Sequence, residues 1–381
     1  MTPAGEPALR YVAEGGSTGY RTAAVRLADA VRAAGVDVEL LTWRPPPDWS
    51  SLGQFLCDDG VARSRPATPT VMHLVPEHVP ALRALTTGPL VLHTVWETDL
   101  LPRRWPAFIN SSDGLIVPSD GNRQVFARSG ARLPTEVIPH VACEALEGDR
   151  GLPLGIPDDV VVFYAISRWD ERKAPTLVVQ AFLEAFTADD PVALVIKTGP
   201  IAEIRPADDW GHTSPRFVTT DWQVARLMRN HPRPPRIHLV VDEWDEARIA
   251  GLHTRGDCYV TLTHAEGWGI GSFDACVYGN PVIATGWSGQ LEYLDGSATL
   301  VDYDLVSVSH NAAGSYEPRQ HWAQPRLEHA VELLRRVAAD PAAARAAAAP
   351  LAQRALERFR GEVVAERFID SAIRLRLLDG R

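Results

Sequence analysis

The sequence predicts an α/β protein with parallel β-sheets and two domains. Short apolar runs, often β-branched, recur along the chain, and each is followed by a longer stretch with helical spacing. This alternation is typical of β-α-β units, whose strands are buried on both faces. The length of 381 residues exceeds that of a usual single domain, and 45% hydrophobic with 23% charged residues is an ordinary globular composition.

Ten buried strands are predicted, in two similar sets of five. The first set comprises Val36–Leu41, Thr70–Val75, Leu90–Val95, Gly114–Val117 and Thr135–Ile138. The second set comprises Val160–Ile166, Val192–Lys197, Ile237–Val241, Cys258–Leu262 and Pro281–Thr285. Two such sets indicate two sheets of the same kind.

A linker is predicted between the two sets. Glu144–Asp159 contains two Gly-X-Pro breaks and several charges, so we place the domain boundary near Gly151, with domains at 1–151 and 152–360. Pro200–Arg236 is rich in proline around one expected helix, Asp221–Asn230, and is predicted to be a surface excursion. Its role is not readable from the sequence.

Helices are predicted where apolar residues or alanines recur at helical spacing. Thr18–Ala34 follows a glycine loop and ends at Gly35, a position suited to a left-handed cap. Arg326–Phe359 is predicted to form short packing helices, broken at Asp340-Pro341 and at Pro350.

Charge and cysteine content exclude several classes of protein. The net charge of −10 provides no global positive field for nucleic acid or for an anionic membrane. The four cysteines, Cys57, Cys143, Cys258 and Cys276, form no C-x-x-C pair, which argues against a disulfide scaffold or a cysteine-ligated zinc site. We expect a cytoplasmic protein, because the first residues lack the apolar core of a signal peptide and no apolar run approaches the roughly 20 residues of a membrane span. The alanine- and arginine-rich composition favours a bacterial origin.

The segment Asp257–Gly289 is the most informative in the chain. It is predicted to hold a strand, a glycine-broken loop opened by Glu266, a helix beginning near Ser272, and a second strand. Backbone amides at such a helix start favour phosphate. Asp274, eight residues after Glu266, is placed to accept hydrogen bonds from hydroxyl groups. The alternative is that both acids serve only the helix N-terminus, where negative charge is favourable in any protein.

This segment resembles the E-x7-E region of the family 4 glycosyltransferases, which are retaining enzymes with the GT-B fold; here the second acid is aspartate. Ile166–Phe182 is similar to the segment in which that family places an Arg and a Lys on the donor diphosphate, and Arg168 and Lys173 match those positions. The alternative is ordinary surface ion pairing. Thr285–Leu294 resembles the loop that lies close to the donor, whereas Tyr316–Pro325 receives no chemical role.

The first domain is also similar to that family, over Leu90–Pro102 and Trp105–Val141. The resemblance implies a GT-B fold, with two Rossmann-like domains facing each other across a cleft and the acceptor on the first. His93 and Glu97 lie where open α/β sheets bind ligands, although a lone histidine on an apolar strand is often a core residue. The last helix, in 361–381, is expected to cross back to the first domain.

The implied activity is transfer of a sugar from a nucleotide-diphosphate sugar to an acceptor hydroxyl or amine, with retention and without a metal or other cofactor. The expected catalytic residues are Glu266, Arg168, Lys173, His93 and Glu97. The expected donor-binding residues are Gly16, Arg168, Lys173, Glu266, Gly267, Trp268, Gly269, Ile270, Asp274, Ser288 and Gly289. The alternatives are a sugar phosphorylase, a nucleotide-sugar epimerase or a non-catalytic sugar-nucleotide-binding protein.

Overall fold

The chain divides into two compact units in the computed structural model, which describes residues 5–16, 18–45, 54–56, 62–144, 154–204, 216–297, 299–308 and 316–379. One unit comprises Met1–Cys143 with Glu357–Arg381, and the other comprises Glu144–Leu356. Gly151 and most of the predicted linker lie outside the described residues. Among the described residues, no helix combines the length and apolar character that a membrane span requires.

The first unit is built on a 7-stranded sheet in the order β3-β2-β1-β4-β5-β6-β7, parallel except where β3 runs antiparallel to β2. The strands are β1 (Leu9–Glu14), β2 (Val38–Arg44), β3 (Gln54–Leu56), β4 (Thr70–His73), β5 (Leu90–His93), β6 (Gly114–Val117) and β7 (Thr135–Val137). The five strands predicted for this domain are present with small shifts at their ends.

The central strand β1 was not among the predicted strands, because a charged residue interrupts its apolar run. Arg10 is nevertheless buried at 3% exposure. Its Nε donates to the Thr70 hydroxyl at 2.9 Å, and its guanidinium lies 4.7 Å from the ring centroid of Phe55. Contacts with neighbours on the sheet therefore allow a charged side chain at a buried strand position, where the hydrophobic pattern predicts an apolar residue.

The described residues before Cys143 form the helices α1 (Gly19–Ala33), α2 (Val79–Leu85), α3 (Trp105–Ile109) and α4 (Asp120–Arg128). The α1 helix begins where predicted because the Thr18 hydroxyl accepts a hydrogen bond from the Arg21 amide at 3.1 Å. It ends at Gly35, whose φ of 91° is left-handed.

The second unit holds a fully parallel 6-stranded sheet in the order β12-β9-β8-β13-β14-β15, and two antiparallel hairpins, β10-β11 and β16-β17. The sheet strands are β8 (Val161–Ile166), β9 (Val192–Lys197), β12 (Arg236–Val240), β13 (Cys258–Thr261), β14 (Val282–Thr285) and β15 (Leu300–Val301). The hairpin strands are β10 (Ile201–Ile204), β11 (Arg216–Thr219), β16 (Tyr303–Ser307) and β17 (His321–Pro325). The predicted excursion thus holds the first hairpin, and the unassigned 316–325 block supplies β17.

The described residues of the second unit form the helices α5 (Pro175–Ala185), α6 (Thr220–Met228), α7 (Glu246–Arg255), α8 (Ile270–Val277), α9 (Leu291–Leu294), α10 (Leu327–Ala339) and the greater part of α11 (Pro341–Phe359). The predicted break at Asp340-Pro341 separates α10 from α11, but the predicted break at Pro350 is wrong, since α11 continues through it. A proline removes one backbone donor, and the alanine-rich turns on both sides favour the helix strongly enough to continue.

The last helix, α12 (Gly361–Arg374), packs in the first unit. It lies against α1, and its residues Val364, Ala365 and Phe368 belong to the same core as Leu9 and Tyr11. Arg374 also donates two hydrogen bonds to the Glu136 carboxylate on β7, at 3.0 and 2.6 Å. The strand β1 and the helix α12 therefore share one hydrophobic core.

Candidate functional site

The loop between β13 and α8 carries Glu266, which is buried at 7% exposure. Two glycines shape this region. Gly269 has a φ of 87°, a left-handed conformation that side chains rarely adopt, and it precedes the first residue of α8. Gly289 lies so close to this loop that a Cβ there would overlap the carbonyl group of Gly267. The glycines singled out in the sequence therefore permit a close approach of backbone to backbone.

Two cations meet the Glu266 carboxylate. Lys173 Nζ lies 2.5 Å from Oε1, and Arg172 Nη1 lies 3.3 Å from Oε2. Both cations come from the turn between β8 and α5, in which Ala174 adopts a left-handed φ of 46°. Such strained backbone at a non-glycine residue persists where the surrounding contacts enforce it. The turn therefore aims two adjacent positive charges at one acid.

Charge pairing controls the ionisation of this group. Burial alone would raise the pKa of Glu266, but the charges of Lys173 and Arg172 outweigh burial and hold that pKa below its ordinary value. Burial lowers the pKa of Lys173, and the Glu266 carboxylate opposes that shift. Glu266 is therefore ionised at neutral pH and rests beside two cations, and the charge of Asp170 also acts on it.

The predicted cations are placed differently from each other. Lys173 contacts Glu266, whereas the Arg168 side chain is 79% exposed and forms an ion pair with Asp170 at 3.3 Å. The second cation on Glu266 is Arg172, which also donates to the carbonyl oxygen of Ala265 at 2.7 Å. Sequence reasoning missed Arg172 because nothing in its position distinguishes it from the other arginines of the segment.

The loop after β14 contacts the backbone of Glu266. The Gly289 amide and the Ser288 hydroxyl both donate to the Glu266 carbonyl oxygen, each at 2.9 Å. Ser288 has a left-handed φ of 70°. Both residues predicted from this loop therefore contact the acid-bearing segment through its main chain.

The remaining predicted donor residues of this unit lie on the same loop and on α8. Trp268 is buried against Phe273 and Tyr293, with ring centroids 5.3 and 5.6 Å apart. Gly267 precedes it, Ile270 is the first residue of α8, and Asp274 is buried in that helix at 6% exposure. The structure thus gathers Glu266, Lys173, Ser288 and these residues around one helix start.

Three further predicted residues, His93, Glu97 and Gly16, belong to the first unit. His93 ends β5 and is fully buried, stacked on His73 with ring centroids 3.9 Å apart and an angle of 13° between the rings. Glu97 is half-buried, and its charge adds to burial in raising the pKa of Tyr20. Gly16, between β1 and α1, is exposed with a φ of 86°.

The two stacked histidines share one hydroxyl group. The Tyr11 hydroxyl lies 2.9 Å from His73 Nδ1 and 2.8 Å from His93 Nδ1. Burial lowers the pKa of both histidines well below its ordinary value, so both are neutral. Because a hydroxyl has one proton, it donates to one Nδ1 and accepts from the other, and the two rings carry opposite tautomers. The sequence singled out His93 alone and gave no signal for this cluster.

Within the described parts of the chain, no group of three or more histidine, cysteine, aspartate or glutamate residues is arranged to hold a metal ion. Cys258 and Cys276 are buried thiols. The groups available to a ligand at the Glu266 loop are thus carboxylates, cations, hydroxyls and backbone amides.

Solved glycosyltransferase structures are similar to this chain in fold. No protein-family model matches the sequence, and no curated protein is significantly similar to it. Sucrose-phosphate synthase (tll1590) from Thermosynechococcus elongatus is 15% identical with a TM-score of 0.69, covering 97% of this chain and 98% of that one. Anabaena Alr3699/HepE, described in complex with UDP and glucose, is 13% identical with a TM-score of 0.63, covering 95% and 98%.

A third structure, described as trehalose-6-phosphate from E. coli bound with UDP-2-fluoro glucose, is 12% identical with a TM-score of 0.60 and covers 98% of this chain and 100% of that one. Likeness at this level of identity defines the fold. The prediction of an α/β protein of GT-B class, with two Rossmann-like domains, is confirmed.

Proposed function

We propose that this protein is a glycosyltransferase that moves a sugar from a nucleotide-diphosphate sugar to an acceptor hydroxyl or amine, with retention of anomeric configuration. The observation that carries the proposal is the Glu266 carboxylate, held by Lys173 and Arg172 at the start of α8 in a GT-B fold. We also propose that the chain belongs with the family 4 enzymes whose motif it resembles. UDP is the first nucleotide to test, because two of the similar structures are described with UDP or a UDP-sugar.

The charges around the loop suit a diphosphate. Lys173, Arg172 and Arg168 face the two acids Glu266 and Asp170, and the start of α8 adds a partial positive charge of roughly half a unit. Arg168, exposed on the same turn as Lys173, is free of packing constraints that would stop it from reaching a ligand. In our proposal Arg168 and Lys173 stabilise the negative charge that develops on the departing diphosphate.

The reaction that we propose breaks the bond between the sugar C1 and the diphosphate oxygen and forms a bond from C1 to the acceptor on the same face. The acceptor proton passes to the departing phosphate oxygen, so the nucleoside diphosphate leaves protonated. Glu266 orients the transferred sugar, and Asp274 binds hydroxyl groups of the nucleotide ribose. His93 and Glu97 serve the acceptor, and no divalent metal is required.

Ligand-induced stabilisation tests the donor assignment before an acceptor is known. A ligand that binds only the folded protein raises stability by RT ln(1 + [L]/Kd), about 2.7 kcal/mol at a hundredfold excess over Kd. We expect UDP, or another nucleoside diphosphate of a panel, to raise the thermal unfolding midpoint, and the matching nucleoside at equal concentration to raise it less. No shift with any nucleoside diphosphate would contradict the proposed function.

A further inference from the structure

The carbonyl oxygens of the Glu266 loop accept hydrogen bonds from side chains and amides of the same unit. We call Glu266–Ser272 the donor loop. The carbonyl oxygen before it, on Ala265, accepts from Arg172 and from the Thr263 hydroxyl at 3.1 Å. The Glu266 carbonyl accepts from Ser288 and Gly289. The Tyr293 hydroxyl lies 2.9 Å from two further carbonyl oxygens, on Trp268 and Gly269, and its one proton is donated to either of them.

These contacts fix the direction of the backbone amides. In a planar trans peptide the C=O and the N–H point in opposite directions, so a carbonyl held on one side turns the following amide to the other. The amides of Gly269 and Ile270 therefore point away from Tyr293. They are consecutive amides at the start of α8, an arrangement that suits an anion.

Tyr293 is well fixed for this task. It lies on α9 and is buried at 4% exposure, and its ring packs 4.9 Å from that of Phe273 between centroids. The Ser272 hydroxyl lies 2.7 Å from the Tyr293 hydroxyl and donates to the Gly269 carbonyl at 2.9 Å. A Cβ at Gly269 would meet both hydroxyl groups. The donor loop is thus packed directly on a pair of hydroxyl groups.

We propose that Tyr293, supported by Ser272, is a positioning residue that keeps the peptide between Trp268 and Gly269 from flipping, so that the Gly269 amide faces the donor diphosphate. This role rests on the proposed function. A glycine follows the peptide bond in question, and glycine accepts the altered backbone angles that a flip requires. When the Tyr293 hydroxyl is removed, the Gly269 carbonyl still accepts from Phe273 and Ser272. We therefore expect loss of the Tyr293 hydroxyl to move the Trp268 carbonyl more than the Gly269 carbonyl.

The test compares UDP with uridine, because only UDP presents a diphosphate to the donor loop. Tyr293→Phe removes the hydroxyl and keeps the ring, and Ser272→Ala removes its partner. Binding to the full chain is measured by titration calorimetry for UDP and by ligand-observed NMR for uridine. We expect Tyr293→Phe to weaken UDP binding about tenfold, the size of one hydrogen bond to a charged group, and Ser272→Ala to weaken it less. Uridine binding stays as in the wild type.

Tyr164→Phe is the matched control. Tyr164 is fully buried in the same unit, and its hydroxyl contacts His253 Nδ1 at 2.8 Å and Asn280 Nδ2 at 2.7 Å, groups outside the donor loop. This variant loses a buried hydroxyl and keeps wild-type UDP affinity. Unchanged UDP affinity in both Tyr293→Phe and Ser272→Ala would overturn the positioning role, as would an equal loss of UDP and uridine binding. Failure of the wild-type protein to bind UDP would instead contradict the proposed donor, and the role that rests on it.

Discussion

The donor loop of the second unit and the histidine cluster of the first both lie near the carboxyl ends of parallel strands, where α/β sheets bind ligands. The donor loop buries an ionised acid beside two cations. The cluster buries neutral imidazoles that share the Tyr11 hydroxyl. An ionised group can be buried only with compensating charges, whereas a neutral ring needs only hydrogen bonds. The difference favours our proposal of a charged ligand at the donor loop, and it favours packing or neutral groups at the histidine cluster.

Removing the charge of Glu266 tests the charged side of this comparison most strongly. Glu266→Gln keeps the size of the side chain but leaves Lys173 and Arg172 without their acid. We expect nucleoside diphosphate affinity to persist or rise, while sugar transfer falls by about 10²–10³, the effect of losing one key electrostatic contact in a transition state. Calorimetry and steady-state rates measure the two effects separately.

Glu246→Gln is the matched control for Glu266→Gln, because Glu246 is an exposed acid in the first turn of α7. If acids at helix starts served only the helix, both variants would lose a little stability and keep activity. Normal turnover by Glu266→Gln, or equal loss of nucleotide affinity and activity, would contradict the role of Glu266 in orienting the sugar.

How far the sequence predicts the donor loop depends on the kind of contact. Glu266 and Lys173 stand at positions of a recognisable motif, and the structure brings them together. Arg172 and Tyr293 act on the loop largely through main-chain carbonyl oxygens. Such contacts depend on the fold and leave no residue pattern, because every residue has a carbonyl group.

Some elements of the fold could likewise be predicted from the sequence, and others could not. Runs of apolar residues predicted ten of the parallel strands of the two sheets, since buried strands need such runs. They did not predict β1, where the buried Arg10 contacts Thr70 and Phe55 in the folded sheet, the short strands β3 and β15, or the two hairpins, which are partly exposed. Contacts distant in sequence decide these elements.

Arg168 offers a second test of the charged site, with a smaller expected effect. Its side chain is 79% exposed, so Arg168→Ala is expected to leave the thermal unfolding midpoint unchanged. The loss of its charge is expected to remove about 2–4 kcal/mol of transition-state stabilisation, by analogy with removal of one oxyanion donor, and so to lower kcat/KM. Arg233→Ala is the control, because Arg233 is also an exposed arginine paired with an aspartate, Asp189. Wild-type kcat/KM in Arg168→Ala would remove Arg168 from the diphosphate site.

The buried neutral histidines of the first unit predict that the free energy of unfolding falls in acid. Burial and the nearby charge of Arg26 lower the pKa of His140 to about 3, and His140 lies 6.2 Å from His93 between ring centroids. A base whose folded pKa is depressed stabilises the protein fully above its unfolded value of about 6.5, and loses about 1.4 kcal/mol per pH unit below it. From pH 6.5 to 5 we expect His140 alone to cost about 2 kcal/mol.

His140→Gln removes this titration, so its thermal unfolding midpoint is expected to fall less steeply than that of the wild type between pH 7 and 5. His73 and His93 continue to titrate in that variant, so some slope remains. His329→Gln is the control, because His329 is partly exposed beside Asp302 and belongs to the second unit. Equal pH slopes in the wild type and His140→Gln would show that the cluster does not hold His140 neutral.

The smallest expected effect concerns divalent metal. The donor loop provides Lys173, Arg172 and the start of α8, and Arg168 stands exposed on the adjoining turn. Lys173, Arg172 and Arg168 outnumber the two acids that they contact, Glu266 and Asp170, and neutralising a diphosphate is the task that a bound Mg²⁺ performs at other sites. We therefore expect transfer to change less than about twofold in excess EDTA, within the weak stimulation that a solution cation gives to any phosphate ligand. Transfer rates of the wild type with EDTA, and with EDTA followed by excess Mg²⁺ or Mn²⁺, measure this.

Arg168→Ala sharpens the measurement, because a site that has lost one fixed cation should gain more from added Mg²⁺ than the wild type does. Complete loss of wild-type transfer in EDTA, restored by either metal, would show that fixed cations do not balance the diphosphate charge.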